Sequence, residues 1–236
     1  MAKRIFNFPE GEVLLIDKPL GWTSFDVVNA IRSAIKRTLN IKKIKVGHAG
    51  TLDPLATGLL IICTGKFTKK IDTFQGLDKV YIGSMFIGAT TPSFDKETEV
   101  NQTFSTDNIS KDKMLKAKAK FIGEIEQTPP VYSAIKIDGK RAFEYARKDN
   151  EVKIKSRKIT ISQFELLNFD LPEIDFLVNC SKGTYIRSLV NDFGLALDSG
   201  AYMSSLRRTA IGEYSVNNAY SVDEIKEAII TQHQDN

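Results

Sequence analysis

The stretch GHAGTLDPLATGLLIICTG, Gly47 to Gly65, decides the reading of this chain. It puts one histidine and one aspartate on a glycine-punctuated turn that runs straight into an apolar segment. Pro54 fixes its own φ and drives Asp53 toward extended geometry, while Gly47, Gly50 and Gly58 give the backbone freedom on either side. Leu59 to Thr64 is too short for an isolated helix and fits a buried segment. A carboxylate is therefore held at the edge of a core. On spacing alone the same residues also describe an ordinary Asx turn.

The rest of the composition narrows the class of protein. A chain of 236 residues with 42% hydrophobic content has room for one sizeable core or two small ones. No run approaches the roughly 18 apolar residues of a membrane span, and the N-terminus lacks the apolar region of a secretory leader, so a cytoplasmic protein is expected. Cys63 and Cys180 lie in apolar or strand-like segments without metal-ligand spacing and read as buried thiols. The net charge of +4 is weak evidence for a polyanionic partner. Its distribution says more, because Lys36, Arg37, Lys42, Lys43 and Lys45, then Lys66, Lys69 and Lys70, flank the Asp53 stretch, and Lys153, Lys155, Arg157 and Lys158 form a third cluster.

Taken in order, Glu12–Asp17 reads as a buried strand with Lys18 at its end. Thr23 or Ser24 caps a helix with Val27, Ile31, Ile35 and Leu39 on one stripe. Lys79–Ile87 is a strand carrying Tyr81. The polar, turn-rich segment Gly88–Ser105 is expected to be a loop. Ile109–Ile122 reads as an amphipathic helix with Leu115, Ala119 and Ile122 on its apolar side. Asp138-Gly139 signals a hairpin before a helix over Arg141–Arg147. Val152–Phe169 reads as two strands, and Ile174, Phe176, Val178 and Cys180 alternate as the buried face of another. Ser181–Thr184 is a turn into a helix bearing Ile186, Leu189, Phe193 and Leu197. On sequence alone Arg187 is a surface residue. Ser221 and Glu224 form a capping box for a last helix with Val222, Ile225 and Ile229 inward.

Several separated groups of residues carry a resemblance to a known family. His48, Gly50, Thr51, Leu52, Asp53, Pro54, Leu55, Ala56, Thr57 and Gly58 resemble the catalytic motif of the TruB family, the tRNA pseudouridine-55 synthases, with Ala49 where the family often has threonine. Asp17–Ser24 is similar to the family's N-terminal motif, Lys79 and Tyr81 to its second, Cys180–Ser188 to its third, and Leu206–Thr209 to its last. Gly88–Ser105 resembles its mobile loop, expected to order only on RNA.

That resemblance implies an α+β fold with a mixed, largely antiparallel central sheet, flanking helices and a catalytic cleft. It implies a single catalytic domain over residues 1–236; many bacterial members carry a further C-terminal PUA domain, and no complete one is expected here. The expected reaction is isomerisation of the T-loop uridine of tRNA to pseudouridine after base flipping, with no cofactor and no metal. Asp53 is the implied nucleophile, Tyr81 packs on the flipped uracil, and Arg187 pairs with Asp53. His48 fills the space vacated by the base, Tyr185 and Leu206 shape the pocket, and Lys18, Gly47, Gly50 and Pro54 support the site. The partner is the tRNA T-arm, with a monomer, no obligatory protein partner and no membrane. Attack at C1′ and a glycal route remain alternatives, as do a tRNA-folding chaperone and a guide-RNA-dependent synthase. A glycoside hydrolase would need two carboxylates flanking the bond, and only Asp53 is nominated.

Overall fold

The computed structural model describes residues 5–133, 135–137, 140–141 and 154–234. The chain folds as two compact units, Met1–Tyr81 together with Arg207–Asn236, and Ile82–Leu206. The class is α+β, as expected.

The first unit is built on a strand that is apolar on both faces. β1 (Val13–Lys18) pairs antiparallel with β3 (Ala56–Thr64), and so does β2 (Val46–Ala49). Leu60 and Ile62 of β3 pack with Leu14 and Ile16, with Val27, Ile31 and Ile35 of helix α1 (Ser24–Thr38), and with Ile225 and Ile229 of the C-terminal helix, α5 (Val222–Gln234). Leu59, Ile61 and Cys63 face the other way, against Ala49, Phe74 of α2 (Ile71–Gly76) and Ile211. A strand covered on both faces reads as a continuous apolar run, which explains LLIICT. The run belongs to a nine-residue strand that starts at Ala56. His48 consequently lies on β2, opposite Ile62, and not on the turn. Gly47 also sits in that strand; a Cβ there would meet Ile71 Cδ1 at 2.8 Å, so close approach, not turn freedom, accounts for it.

Two strands change unit part-way: β4 (Lys79–Ile87) after Tyr81 and β12 (Ala201–Ile211) after Leu206. In the second unit β4 is followed across the sheet by β11 (Glu173–Cys180), β10 (Arg157–Leu166) and β7 (Gly123–Gln127). Ile174, Phe176, Val178 and Cys180 are the buried face of β11. Phe164 packs edge-on to both Phe176 and Phe193, the latter from helix α4 (Ile186–Ala196). Short pairs complete the structure: β5 (Ala89–Thr90) with β6 (Gln102–Thr103), β8 (Lys136–Ile137) with β9 (Lys140–Arg141), and, in the first unit, β13 (Tyr214–Ser215) with the end of β12.

Several expectations change. Between Val152 and Phe169 there is one described strand, β10, with an irregularity between Ile161 and Gln163 that breaks its alternation. Helix α3 (Lys111–Ala119) buries Met114 and Ala117, while Leu115 and Ile122 are exposed. Ser110 caps this short helix by accepting from the Lys113 amide, and that start sets its register. Gly88–Ser105 carries its own buried polar cluster: Thr91, Ser93 and Asp95 are buried, and Ser93 and Thr91 hydroxyls donate to the Asp95 carbonyl. The β8–β9 pair bears out the hairpin, while its turn residues Asp138 and Gly139, the helix expected beyond Arg141, and Lys153 lie outside the described residues.

Candidate active site

In the first unit the turn after β2 is anchored on both sides of Asp53. The Ser24 hydroxyl, at the start of α1, accepts from the Leu52 amide at 2.8 Å and lies 3.1 Å from the Leu52 carbonyl, to which it donates. Beyond Asp53, the Gly21 amide donates to the Pro54 carbonyl at 2.9 Å and the Ala56 amide to the Asp53 carbonyl at 3.0 Å. Leu52 and Ala56 are buried, so the aspartate sits between two fixed points.

Two buried cations support this turn. Lys18 follows Leu14 and Ile16 on the inward face of β1 and is completely buried. Its ammonium donates to the carbonyls of Trp22 at 2.6 Å, Pro19 at 2.9 Å and Pro54 at 3.5 Å. Burial lowers its pKa from 10.5 to about 8; attraction to Asp53 opposes that shift and repulsion from Arg208 adds to it. Arg208 is 1% exposed. Its Nε donates to the Leu59 carbonyl at 2.7 Å and its Nη2 to the Gly50 carbonyl at 3.1 Å, tying the turn to β3. Gly58, with φ +102°, admits the Arg208 backbone: a Cβ would lie 2.3 Å from the Arg208 carbonyl oxygen. Burial, then the Arg208 charge, hold His48 below its ordinary pKa, so the imidazole is neutral at physiological pH. Neighbouring Arg207 instead makes a two-handed pair with Asp17 at 3.0 and 2.6 Å. Tyr81 is buried near the end of this unit's part of β4. Lys79, also buried, donates to the carbonyls of Gln75 and Leu77 at the end of α2.

In the second unit the residues nominated by sequence gather at the start of α4. Arg187 is buried, against the surface expectation: its Nη1 donates to the Ser93 carbonyl at 3.1 Å and its Nη2 to the Tyr132 carbonyl at 2.9 Å, and its Nε lies 3.6 Å from Asp95 Oδ2. Helical geometry forces this, since Ile186, Leu189, Val190 and Phe193 must face the core and Arg187 enters with them. Tyr185 is the N-cap, under the Arg157 guanidinium at 4.9 Å from its ring. Leu206 is half-buried, its Cδ1 3.3 Å from where a Cβ on Gly83 would stand.

The sequence matches two family models, "TruB family pseudouridylate synthase (N terminal domain)" over residues 36–186 and "tRNA pseudouridylate synthase B C-terminal domain" over 187–236. The chain belongs to the TruB family. It is 55% identical to a protein named tRNA pseudouridine synthase B from Flavobacterium johnsoniae, over 94% of this chain and 98% of that one. A protein of the same name from Phocaeicola vulgatus is also 55% identical, over 94% of each chain. Among solved structures, a chain from "Structure of H/ACA RNP bound to a substrate RNA containing 2'-deoxyuridine" superposes with TM-score 0.68 at 27% identity; the match covers 97% of this chain and 56% of that one.

Within this TruB chain, sequence reasoning missed Arg208, Asp95, Gln127 and Ser24. For Arg208 a signal existed, because consecutive arginines on a strand must point to opposite faces. The other three carry no local sign of their role. Of the basic clusters, Lys66 and Lys158 make exposed ion pairs with Glu10 and Glu124. Among the described residues no helix is long and apolar enough to cross a membrane, and no group of His, Cys, Asp or Glu is placed to hold a metal ion.

Proposed function

We propose that this chain isomerises one uridine in the T-loop of tRNA, position 55, to pseudouridine. The observation that carries the reading is the Asp53 turn, a single carboxylate fixed between the Leu52 and Pro54 anchors with the buried Lys18 ammonium beneath it. A fixed nucleophile suits a reaction that needs no group besides the substrate. The N1–C1′ bond breaks, the uracil turns, a C5–C1′ bond forms, and the C5 hydrogen leaves as a proton while N1 gains one.

The target base must leave its stack, at a cost of about a few kcal/mol. Neutral His48 fills the vacated space and stacks on neighbouring bases. Asp53 attacks C1′ or assists a glycal route. Tyr81 packs on the uracil and is a candidate for the proton transfer from C2′ or C5. Arg187 pairs with Asp53 in the bound state, and Tyr185 and Leu206 line the pocket. The chain then acts as a single catalytic domain and a monomer in the cytoplasm, where unmodified tRNA is met.

Tritium release from C5-labelled uridine in unmodified tRNA tests this. Wild type releases the label; Asp53→Asn lowers release by about a thousandfold or more, the scale of losing a covalent catalyst, and a tRNA with cytidine at the target releases none. The likeness to an H/ACA RNP chain supports a second reading, in which further RNA and protein components are needed. Release by the isolated chain defeats that reading, and silence of the folded wild type defeats the first.

A further inference from the structure

Helix α4 begins without a side-chain cap of its own: Tyr185 stands at the N-cap with φ −98° and ψ 110°, and its side chain makes no capping bond. Its backbone is held by Gln127, the last residue of β7 and 58 residues distant in sequence. Gln127 Nε2 donates to the Tyr185 carbonyl at 3.0 Å, and the Tyr185 amide donates to Gln127 Oε1 at 2.8 Å. A primary amide carries a donor and an acceptor side by side, so it can satisfy both groups of one residue and fix its rotation as well as its position. Gln127 is 1% exposed, so water does not offer an easy substitute. The next residue extends the clamp, since the Ser188 hydroxyl donates to the Thr128 carbonyl at 2.8 Å.

Ordinary capping of a helix needs only an acceptor for free amides. Here the donating half of Gln127 is aimed at the Tyr185 carbonyl, which already accepts the first helical bond from the Leu189 amide at 3.1 Å, so that half adds nothing to capping. It fixes the peptide from which the Tyr185 ring projects, two residues before Arg187. That ring lies 4.9 Å from the guanidinium of Arg157, which also donates to the Gly183 carbonyl and is held by it.

We propose that Gln127 is a positioning residue for pseudouridine formation, whose two-handed amide clamp on Tyr185 sets where the Tyr185 ring and the Arg187 guanidinium stand. This rests on the proposed function, in which those two side chains serve the site. The clamp acts on the geometry of the reacting complex and leaves the tRNA-binding surface unchanged.

The test compares Gln127→Met, which removes both hydrogen bonds, with Gln127→Glu, which keeps the acceptor and loses the donor while ionised. Single-turnover tritium release and tRNA binding are measured separately. Both variants bind tRNA within about twofold of wild type, and Gln127→Met reacts roughly ten- to a hundredfold more slowly, the scale of a small misplacement of reacting groups. Gln127→Glu is slow near about pH 8 and recovers toward about pH 5.5 relative to wild type, because a protonated carboxyl can again donate to the Tyr185 carbonyl. If Gln127→Met does not fold, the pH profile of the near-isosteric Gln127→Glu decides. Rates within twofold of wild type, or a loss of rate matched by a loss of binding without recovery at low pH, overturn the proposal. A silent wild type would overturn the synthase reading and this proposal with it, whereas an active, Asp53-dependent wild type beside unaffected Gln127 variants overturns this proposal alone.

Discussion

Helices α1 and α5 of the first unit and helix α4 of the second begin in different ways. Thr23 and Asp26 close a capping box at the start of α1, the Asp26 amide donating to the Thr23 hydroxyl at 3.0 Å and the Thr23 amide to the Asp26 carboxylate at 2.9 Å. Ser221 and Glu224 do the same for α5, at 3.1 and 2.7 Å. Both boxes close within three residues. Tyr185 opens α4 with a ring that lies under Arg157 and makes no capping bond, and its backbone is held by Gln127 from the end of β7. Helices α1 and α5 are started by their own sequence, and α4, which carries the candidate site residues Tyr185 and Arg187, is started from elsewhere. Arg208 extends the contrast into the first unit, reaching back to Leu59 and Gly50 across 149 and 158 residues.

If long-range anchors hold the site and local boxes merely start helices, removing an anchor costs more. Arg208→Met should show the largest effect. It leaves the Leu59 and Gly50 carbonyls without their donor in a buried place, with an expected loss of about 3–5 kcal/mol in urea unfolding. A loss no larger than that of a capping residue would break the comparison.

The Lys18 anchor is smaller in effect and has its own signature. Its pKa falls from 10.5 to about 8 on folding, so between those values the unfolded chain binds more protons than the folded one. Stability therefore rises with pH through that window, because below about pH 8 the folded state must hold a buried charge. One pKa unit is worth about 1.4 kcal/mol, so the term is at most a few kcal/mol. Urea midpoints of wild type and Lys18→Met, followed from about pH 8 to about pH 10, check it: the wild-type advantage grows with pH, and a constant difference would remove the buried charge from the argument.

These anchors also mark how far the sequence could be read. The Asp53 turn was legible because its wording is dense and local, and β4, the alternation of β11 and the apolar stripe of α4 were legible because each repeats at its own period. Arg207 and Arg208 are adjacent and chemically equal, yet one pairs with Asp17 near the surface and the other is buried under Gly50. Only the register of β12 decides which is which. Asp95 lies in a stretch that reads as a loop, and its burial depends on Arg187 and on a bridge to Met203, far along the chain. The inward face of α3 escaped because nine residues give too few turns to separate Met114 and Ala117 from Leu115.

The smallest effect belongs to the local box. Ser221→Ala removes the acceptor of the Glu224 amide at the exposed start of α5, and water can reach the freed group, so the cost should be about 1 kcal/mol. The loss should be confined to the first turn of α5, because Val222, Ile225 and Ile229 continue to pack against α1 and β3. Hydrogen exchange reads this directly: amides of that first turn should exchange faster, while those of α1 keep their protection. Faster exchange throughout α1 as well would mean that the α5 box holds the core together, and that the local and long-range anchors are not different in kind. Protected α1 amides, beside a large loss on removing Arg208, would mean that this chain starts α1 and α5 locally and fixes its candidate site residues from a distance.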